Sequence, residues 1–327
     1  FAQITAIATL IGLVFTKDQV RFPVGTTTTL LVLLATWMTF TYLFALEPES
    51  AQTRWIEVMK SYFFVLIASA VINTREQVHW LILVLAVSVG FYGLKGGLFT
   101  ITTGGDYLVW GPPNSYIQDN NTLAVALVVT IPILYYLAST SSRKILRYGL
   151  WAAIILSVAA ILGTHSRGAL LAISAMAVFL WLKSPQKILI GTLLVLAVPI
   201  VIAVMPEHWH DRMRTIQTYE EDESALGRLH TWKMIVNLAN DRPLVGGGFE
   251  HYSQATLAAY APEMTTVRAA HSIYFQMLGE HGYPGLILFL LLGTNAWWMG
   301  SDIIRRSRRN KDFEWAIAMS RAMQVSL

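Results

Sequence analysis

The residues best equipped for chemistry in this chain are cations and one imidazole. Arg167 lies in Gly163-Thr164-His165-Ser166-Arg167-Gly168, a polar break between two apolar runs. A guanidinium is a planar fork of donors that matches phosphate oxygens two at a time and stays charged at physiological pH. Charge inside a membrane segment is a functional signal by default, yet an Arg near a segment end also snorkels to lipid headgroups. Arg167 therefore reads as one wall of an anion site or as a headgroup anchor, and the glycines on both sides favour a shaped site. Arg228, in Leu226-Gly227-Arg228-Leu229-His230-Thr231-Trp232, reads when taken alone as a solvated helix charge near Asp222 and Glu223. Arg268 and His271 stand three apart, which on a helix puts them on one face. Beside a cation an imidazole is held neutral and can accept a proton near pH 7. Lys95, within Tyr92-Gly93-Leu94-Lys95-Gly96-Gly97, either snorkels to the surface or approaches an anionic ligand. Gly246-Gly247-Gly248 either offers backbone amides to a phosphate or forms a helix stop and turn.

Other chemistries lack their parts. There is no Cys, which removes thiolate catalysis, iron–sulfur clusters and Cys-based zinc sites. His208-Trp209-His210 brings two rings without an obvious third ligand, and no HExxH or Asp-x-Asp pattern occurs, so no metal site is expected. The acidic run 220–223 reads as a solvated helix start, and no GxSxG nucleophile motif is present. What is left is a site of several arginines with one candidate base. A pyrophosphate leaves readily once its charge is neutralised, and a neutral His can activate a hydroxyl by taking its proton. The residues thus point to a lipid-phosphate-linked donor meeting a hydroxyl acceptor outside a membrane.

The elements that must position these groups are membrane helices. The chain is 54% hydrophobic and 13% charged, whereas soluble domains carry about 25% charged residues. Disordered, collagen-like and disulfide-framework classes are excluded by the same composition. Apolar segments near the roughly 20 residues needed to cross a bilayer fall at 1–15, 24–46, 55–72, 78–101, 122–138, 149–163, 168–182, 188–205 and 283–300, and a further one begins near Trp315. Trp55, Trp80, Trp151 and Trp181 stand at segment ends, where indoles prefer the interface. No internal repeat is found. One set of short loops holds Lys17, Arg21, Arg75, Arg143, Lys144, Arg147, Lys183, Lys187 and the cluster from Arg305 to Lys311, while the opposite set holds only Arg54, Lys60 and Arg167. The positive-inside rule assigns the first set to the cytoplasm and residues 206–282 to the outside, the periplasm of a two-membrane cell. The net charge of +4 reflects these anchoring cations, so no nucleic-acid partner is expected. Beginning at Phe1 and ending within an apolar run, the sequence reads as the middle of a longer protein.

The expected fold is all-α: a polytopic transmembrane helical protein with a large helix-rich periplasmic loop. Residues 1–205 hold about eight spans, 206–282 form the loop domain carrying the candidate catalytic residues, and 283–327 hold C-terminal spans, the second truncated. Within the loop, Ser224 is expected to cap a helix whose apolar stripe is Leu226, Leu229, Trp232, Ile235, Val236 and Ala239, ended by Asp241-Arg242-Pro243. A second helix is expected over about 269–280, and Gly282-Tyr283-Pro284-Gly285 re-enters the membrane. A polar loop this long between spans is seldom a passive connector and suggests a lid over a site at the membrane surface.

Several short motifs, in order and spacing, resemble the O-antigen ligase and O-antigen polymerase superfamily of bacterial envelope glycosyltransferases. They are Thr164-His165-Ser166-Arg167-Gly168-Ala169, Gly227-Arg228 with Trp232, Pro243-Leu244-Val245-Gly246-Gly247-Gly248-Phe249, and His271-Ser272-Ile273-Tyr274-Phe275-Gln276-Met277-Leu278-Gly279-Glu280-His281-Gly282. The resemblance covers about 149–300; Ser272 departs from it, since the family usually shows Asn after the His. It implies a helical inner-membrane enzyme that transfers glycan from undecaprenyl pyrophosphate to lipid A-core, to a growing chain (polymerases) or to protein (O-oligosaccharyltransferases). Carried over, His271 would be the general base, Arg167 and Arg228 would bind the departing pyrophosphate with Arg268 as a third candidate, and the transfer would invert the anomeric centre without metal or cofactor. A ligase with lipid A-core as acceptor is the first expectation.

Two other classes use the same residues differently. A transporter or flippase of a lipid-linked sugar would need the arginines and Lys95, but repeat symmetry and mid-membrane charge are lacking. A non-catalytic assembly protein that binds envelope lipid would need only the anion site.

Overall fold

Every regular element among the described residues is helical, which is what backbone in lipid requires, because a helix satisfies its own N–H and C=O groups. The computed structural model describes residues 8, 9, 11, 12, 15, 23–184, 186–214, 223–264 and 266–327. In chain order the helices are α1 (Thr26–Tyr42), α2 (Pro48–Val71), α3 (Arg75–Thr102), α4 (Asn120–Thr140), α5 (Lys144–Gly163), α6 (Arg167–Lys183), α7 (Lys187–Val204), α8 (Glu207–Arg214), α9 (Glu223–Asp241), α10 (Gln254–Tyr260), α11 (Ile273–Ser307) and α12 (Glu314–Ser326). Each expected span from 24–46 to 283–300 falls on one of them, and the segment near Trp315 falls on α12; the expected span 1–15 lies largely outside the described residues. Among the described residues α3, α4, α5, α7 and α11 are long and apolar enough to cross a membrane. The protein is an all-α, multi-pass membrane protein.

The chain divides into two compact units. The first comprises 1–79 and 230–292, the second 80–229 and 293–327.

In the second unit α4 forms the centre. Asp119 caps it, its carboxylate accepting from the amides of Asn121 at 2.9 Å and Thr122 at 3.2 Å. Leu123, Ala124, Leu127, Val128 and Ile131 of α4 pack against Ala160 and Ile161 of α5 and Ala169 of α6. α3 approaches α5 through small residues, as membrane helices do where dispersion rather than water drives packing. A Cβ built on Gly97 would lie 2.7 Å from the carbonyl carbon of Leu156, so only glycine fits there. By contrast α7 buries no residue, the surface of a helix bathed in lipid.

In the first unit α1 and α2 bury Leu34, Met38 and Ala51 with Phe249 and Met277. A second cluster joins Met234, Ile235 and Ala239 of α9 to Leu257, Ala261, Ala270 and Leu278. Trp232 stacks on Phe275 at 4.7 Å and donates its indole N–H to the carbonyl of Ala270 at 2.7 Å. The expected apolar stripe is thus the buried face from Trp232 to Ala239. Leu229, in the second unit, is exposed instead. α9 also starts at Glu223, so Ser224 lies inside the helix rather than capping it.

α11 is broken at Gly282, whose φ of 65° and ψ of −171° only glycine adopts easily. With Pro284 two residues on, the helix loses its normal amide donors, and others replace them. The carbonyls of Gly279 and Glu280 accept from Gly247 N at 2.7 Å and Gly248 N at 3.0 Å, and that of His281 accepts from the Trp37 indole at 2.9 Å. Tyr283 N donates to Pro243 at 2.9 Å. The break falls at the Gly282-Tyr283-Pro284-Gly285 segment singled out in the sequence.

Candidate functional site

The site in the second unit is built at the junction of α5 and α6. His165 sits there at a φ of 52°, a left-handed conformation that reverses the chain between the two helices. Ser166 then caps α6, its hydroxyl accepting from Ala169 N at 3.3 Å, and Arg167 is the first residue of that helix. A junction buried this deeply must satisfy its carbonyls, and four successive ones find donors from four separate places. Leu162 O accepts from the Trp209 indole at 3.1 Å, Gly163 O from Val109 N at 2.9 Å, Thr164 O from the Asn120 side chain at 2.8 Å, and His165 O from the Nε of Arg212 at 3.0 Å. The His165 ring donates Nε2–H to the carbonyl of Gly105 at 2.8 Å, since a carbonyl can only accept. Burial lowers the pKa of His165 against that bond, and the nearby His208 and Arg212 lower it further, so the imidazole is neutral.

Three guanidiniums gather at this junction. Arg167 is half-buried; burial depresses its pKa, and the charges of Arg212 and then Arg228 depress it further. The Nε of Arg228 is buried with no hydrogen-bond partner among the described residues. Arg167 and Arg228 are half-buried and Arg212 is exposed, and like charges brought this close repel one another. The positive end of α6 adds to the same field. Of the expected donor-binding arginines, Arg167 and Arg228 are thus near enough for their charges to act on one another.

His271 and Arg268 belong to the first unit. They precede α11, which starts at Ile273, so the helix expected over 269–280 is shorter at its start and the two do not share a helical face. His271 is exposed and left-handed, with a φ of 48°. The backbone before it is held by the Trp232 bond to Ala270.

The triple glycine serves the turn and not a phosphate. Its three amides donate to protein carbonyls, Gly246 N to Arg242 O at 2.9 Å and the other two to Gly279 and Glu280. Lys95 is exposed and lines an apolar recess of about 450 Å³ with Phe91, Tyr92, Phe99 and Trp110.

Sequence reasoning missed Arg212 as a member of the arginine group and Trp209 as the anchor of its helix. A signal was available, since Trp209 and Arg212 lie three apart on one face of an eight-residue helix. It also missed the buried polar side chains at the break in α11. There His281 Nδ1 lies 2.7 Å from the Thr41 hydroxyl, and Gln276 donates to Glu280 at 3.1 Å. These groups hold the break in place.

Residues 152–290 match the family model described as O-antigen ligase, and residues 1–142 match that of a family of unknown function. No curated protein matches the chain. The first match spans the α5–α6 junction, the Gly227-Arg228 pair and the His271 segment, the stretches on which the motif resemblance rests. Over residues 152–290 the chain is thus similar to the O-antigen ligase family.

Proposed function

We propose that the protein is a ligase that transfers a glycan from undecaprenyl pyrophosphate to a hydroxyl of lipid A-core, on the periplasmic face of the inner membrane. The observation that carries this reading is the group of Arg167, Arg212 and Arg228 at the α5–α6 junction. The match to the O-antigen ligase family supports a lipid-linked glycan as substrate.

In this reading residues 206–282 are the periplasmic loop and His271 is the general base. Its imidazole takes the proton of the acceptor hydroxyl as the oxygen attacks the anomeric carbon. The bond from that carbon to the pyrophosphate oxygen breaks, and the electron pair leaves with the pyrophosphate. Arg167 and Arg228 stabilise the charge that develops there, with Arg268 as a further candidate; this is electrostatic catalysis by groups fixed in advance. One displacement inverts the anomeric configuration. No metal is needed, because guanidiniums do the neutralising.

The test is glycan transfer by the full chain in nanodiscs, with lipid-linked glycan and lipid A-core supplied. Transfer should survive EDTA, fall by roughly two orders of magnitude or more in Arg167→Ala and Arg228→Ala, and vanish in His271→Ala. Full activity in His271→Ala removes the base. Product formed only on the glycan chain or on protein moves the enzyme to the polymerases or the O-oligosaccharyltransferases. Donor crossing the bilayer with no covalent product makes it a transporter.

A further inference from the structure

We propose that Arg212 is a third ligand of the donor's diphosphate, and that the recess beside it seats the first sugar of the glycan. The proposal rests on the reading of Arg167 and Arg228 as the pyrophosphate site and extends it to Asp106, His208 and Arg212, which lie outside the quoted motifs.

Arg212 is placed by construction. Trp209 of α8 is buried, 5% exposed, and its indole is bonded to Leu162 O. One turn on, the Nε of Arg212 is bonded to His165 O, two residues before Arg167. That bond fixes the plane of the guanidinium fork next to Arg167, a geometry a flexible ammonium would lack. A diphosphate presents more anionic oxygens than two forks can match, and a third fork at this place fits the remainder.

The recess adjoins Arg212. It measures about 460 Å³ and is lined by Asp106, Tyr107, Leu108, His165, His208 and Arg212. That is the size range of a small-ligand site. The His165 and His208 rings lie 5.2 Å apart. A carboxylate and two imidazoles suit sugar hydroxyls, and the Tyr107 ring offers an apolar face to sugar C–H groups. The walls are fixed: Gly105 accepts from His165 and sits against Met205 and Pro206, where a Cβ would come within 3.1–3.2 Å of their side chains. A ligand with phosphate at one end and sugar at the other would lie with its phosphate on the arginines and its sugar in the recess.

Nanodisc-reconstituted full chain tests this with two probes, the lipid-linked glycan donor and inorganic pyrophosphate as an inhibitor. Arg212→Gln should raise the KM for donor and the inhibition constant for pyrophosphate by roughly tenfold each, the weight of a lost charge-assisted bond. Arg212→Lys should recover part of both. Asp106→Ala and His208→Ala should raise the KM for donor and leave pyrophosphate inhibition unchanged, because pyrophosphate has no sugar. If Arg212→Gln lowers kcat alone, or if Arg212→Lys matches it in both constants, Arg212 only positions the junction and the proposal is wrong. A defect seen only in nanodiscs of anionic phospholipid marks a headgroup contact and overturns it equally. Loss in Arg167→Ala and Arg228→Ala with none in Arg212→Gln refutes this inference and leaves the parent reading standing; unchanged transfer in all three refutes the parent.

Discussion

Arg212 donates its Nε–H to the backbone carbonyl of His165 at 3.0 Å, two residues before Arg167. This bond links a charged side chain to the chain reversal on which another charged side chain depends. It belongs to a series in which Trp209, Val109, Asn120 and Arg212 satisfy the carbonyls of 162, 163, 164 and 165 in turn. The arginine group is therefore a by-product of solving a hydrogen-bond problem at a buried helix junction. Disturbing any one donor should be felt by the whole group.

Trp209→Phe tests that dependence. Phenylalanine keeps the aromatic packing but loses the N–H to Leu162, which costs about 1 kcal/mol for the bond and more if the carbonyl is left dry. The expected outcome is a thermal midpoint lowered by a few degrees and a clear fall in kcat/KM for glycan transfer, since α8 carries Arg212. An unchanged kcat/KM at the lowered midpoint would mean that α8 is a strut without a part in the site.

Arg167 and Arg228 give a sharper test when combined. If both hold one anion, their losses are coupled, and Arg167→Ala/Arg228→Ala should be much less impaired than the product of the single effects. Steady-state kcat/KM for the donor across the four proteins measures the coupling. Simple multiplication of the two losses would place the guanidiniums on separate anions.

Much of this fold can be read from the sequence, and the reason is physical. Backbone in lipid has few options, so long apolar runs between polar breaks become helices; those runs fix α1 and α3 to α7 to within about five residues, while α2 starts seven residues before its run and α11 extends beyond its run at both ends. Arg167 was legible because a guanidinium beside a segment end is costly enough to need a reason, whereas Arg228, a solvated helix charge when taken alone, was singled out only by the motif resemblance. The start of α11 was not legible. Residues 269–272 have helical composition, but Ala270 is tied by its carbonyl to Trp232, 38 positions earlier, and His271 is left-handed. No local pattern encodes a bond of that range. Arg212 was hidden for the same reason, since its partner carbonyl lies 47 positions away.

Glycine positions give a paired prediction within α3 and α5. Gly97→Ala would drive a methyl into the backbone of Leu156, which cannot move aside as a side chain can. Folded yield from membranes should collapse. Gly149→Ala, where a Cβ meets nothing within 4 Å, should be tolerated or stabilising by up to about 1 kcal/mol, the difference in helix propensity. Size-exclusion profiles of the two detergent-extracted variants check both. Equal yields would mean that α3 and α5 pack less closely than the Gly97 contact requires.

His251 sets an acid limit on stability. It is fully buried in the turn after the triple glycine, with Nδ1 3.3 Å from Gly248 O and its ring stacked on Tyr252 at 4.3 Å. Burial lowers its pKa from 6.5 to about 4, opposed by the bond to Gly248. The unfolded chain therefore takes up a proton at a higher pH than the folded one. Between pH 6.5 and about 4 the unfolded state binds more protons, so stability falls as pH drops through that window and is unaffected above it. The loss at the acid end is on the order of 3 kcal/mol. Thermal midpoints of the nanodisc-held protein from pH 7.5 to 4 should show the decline, and His251→Asn, which keeps a donor for Gly248 but cannot titrate, should flatten it. A variant whose midpoint falls as steeply as the parent's would assign the acid sensitivity to other groups.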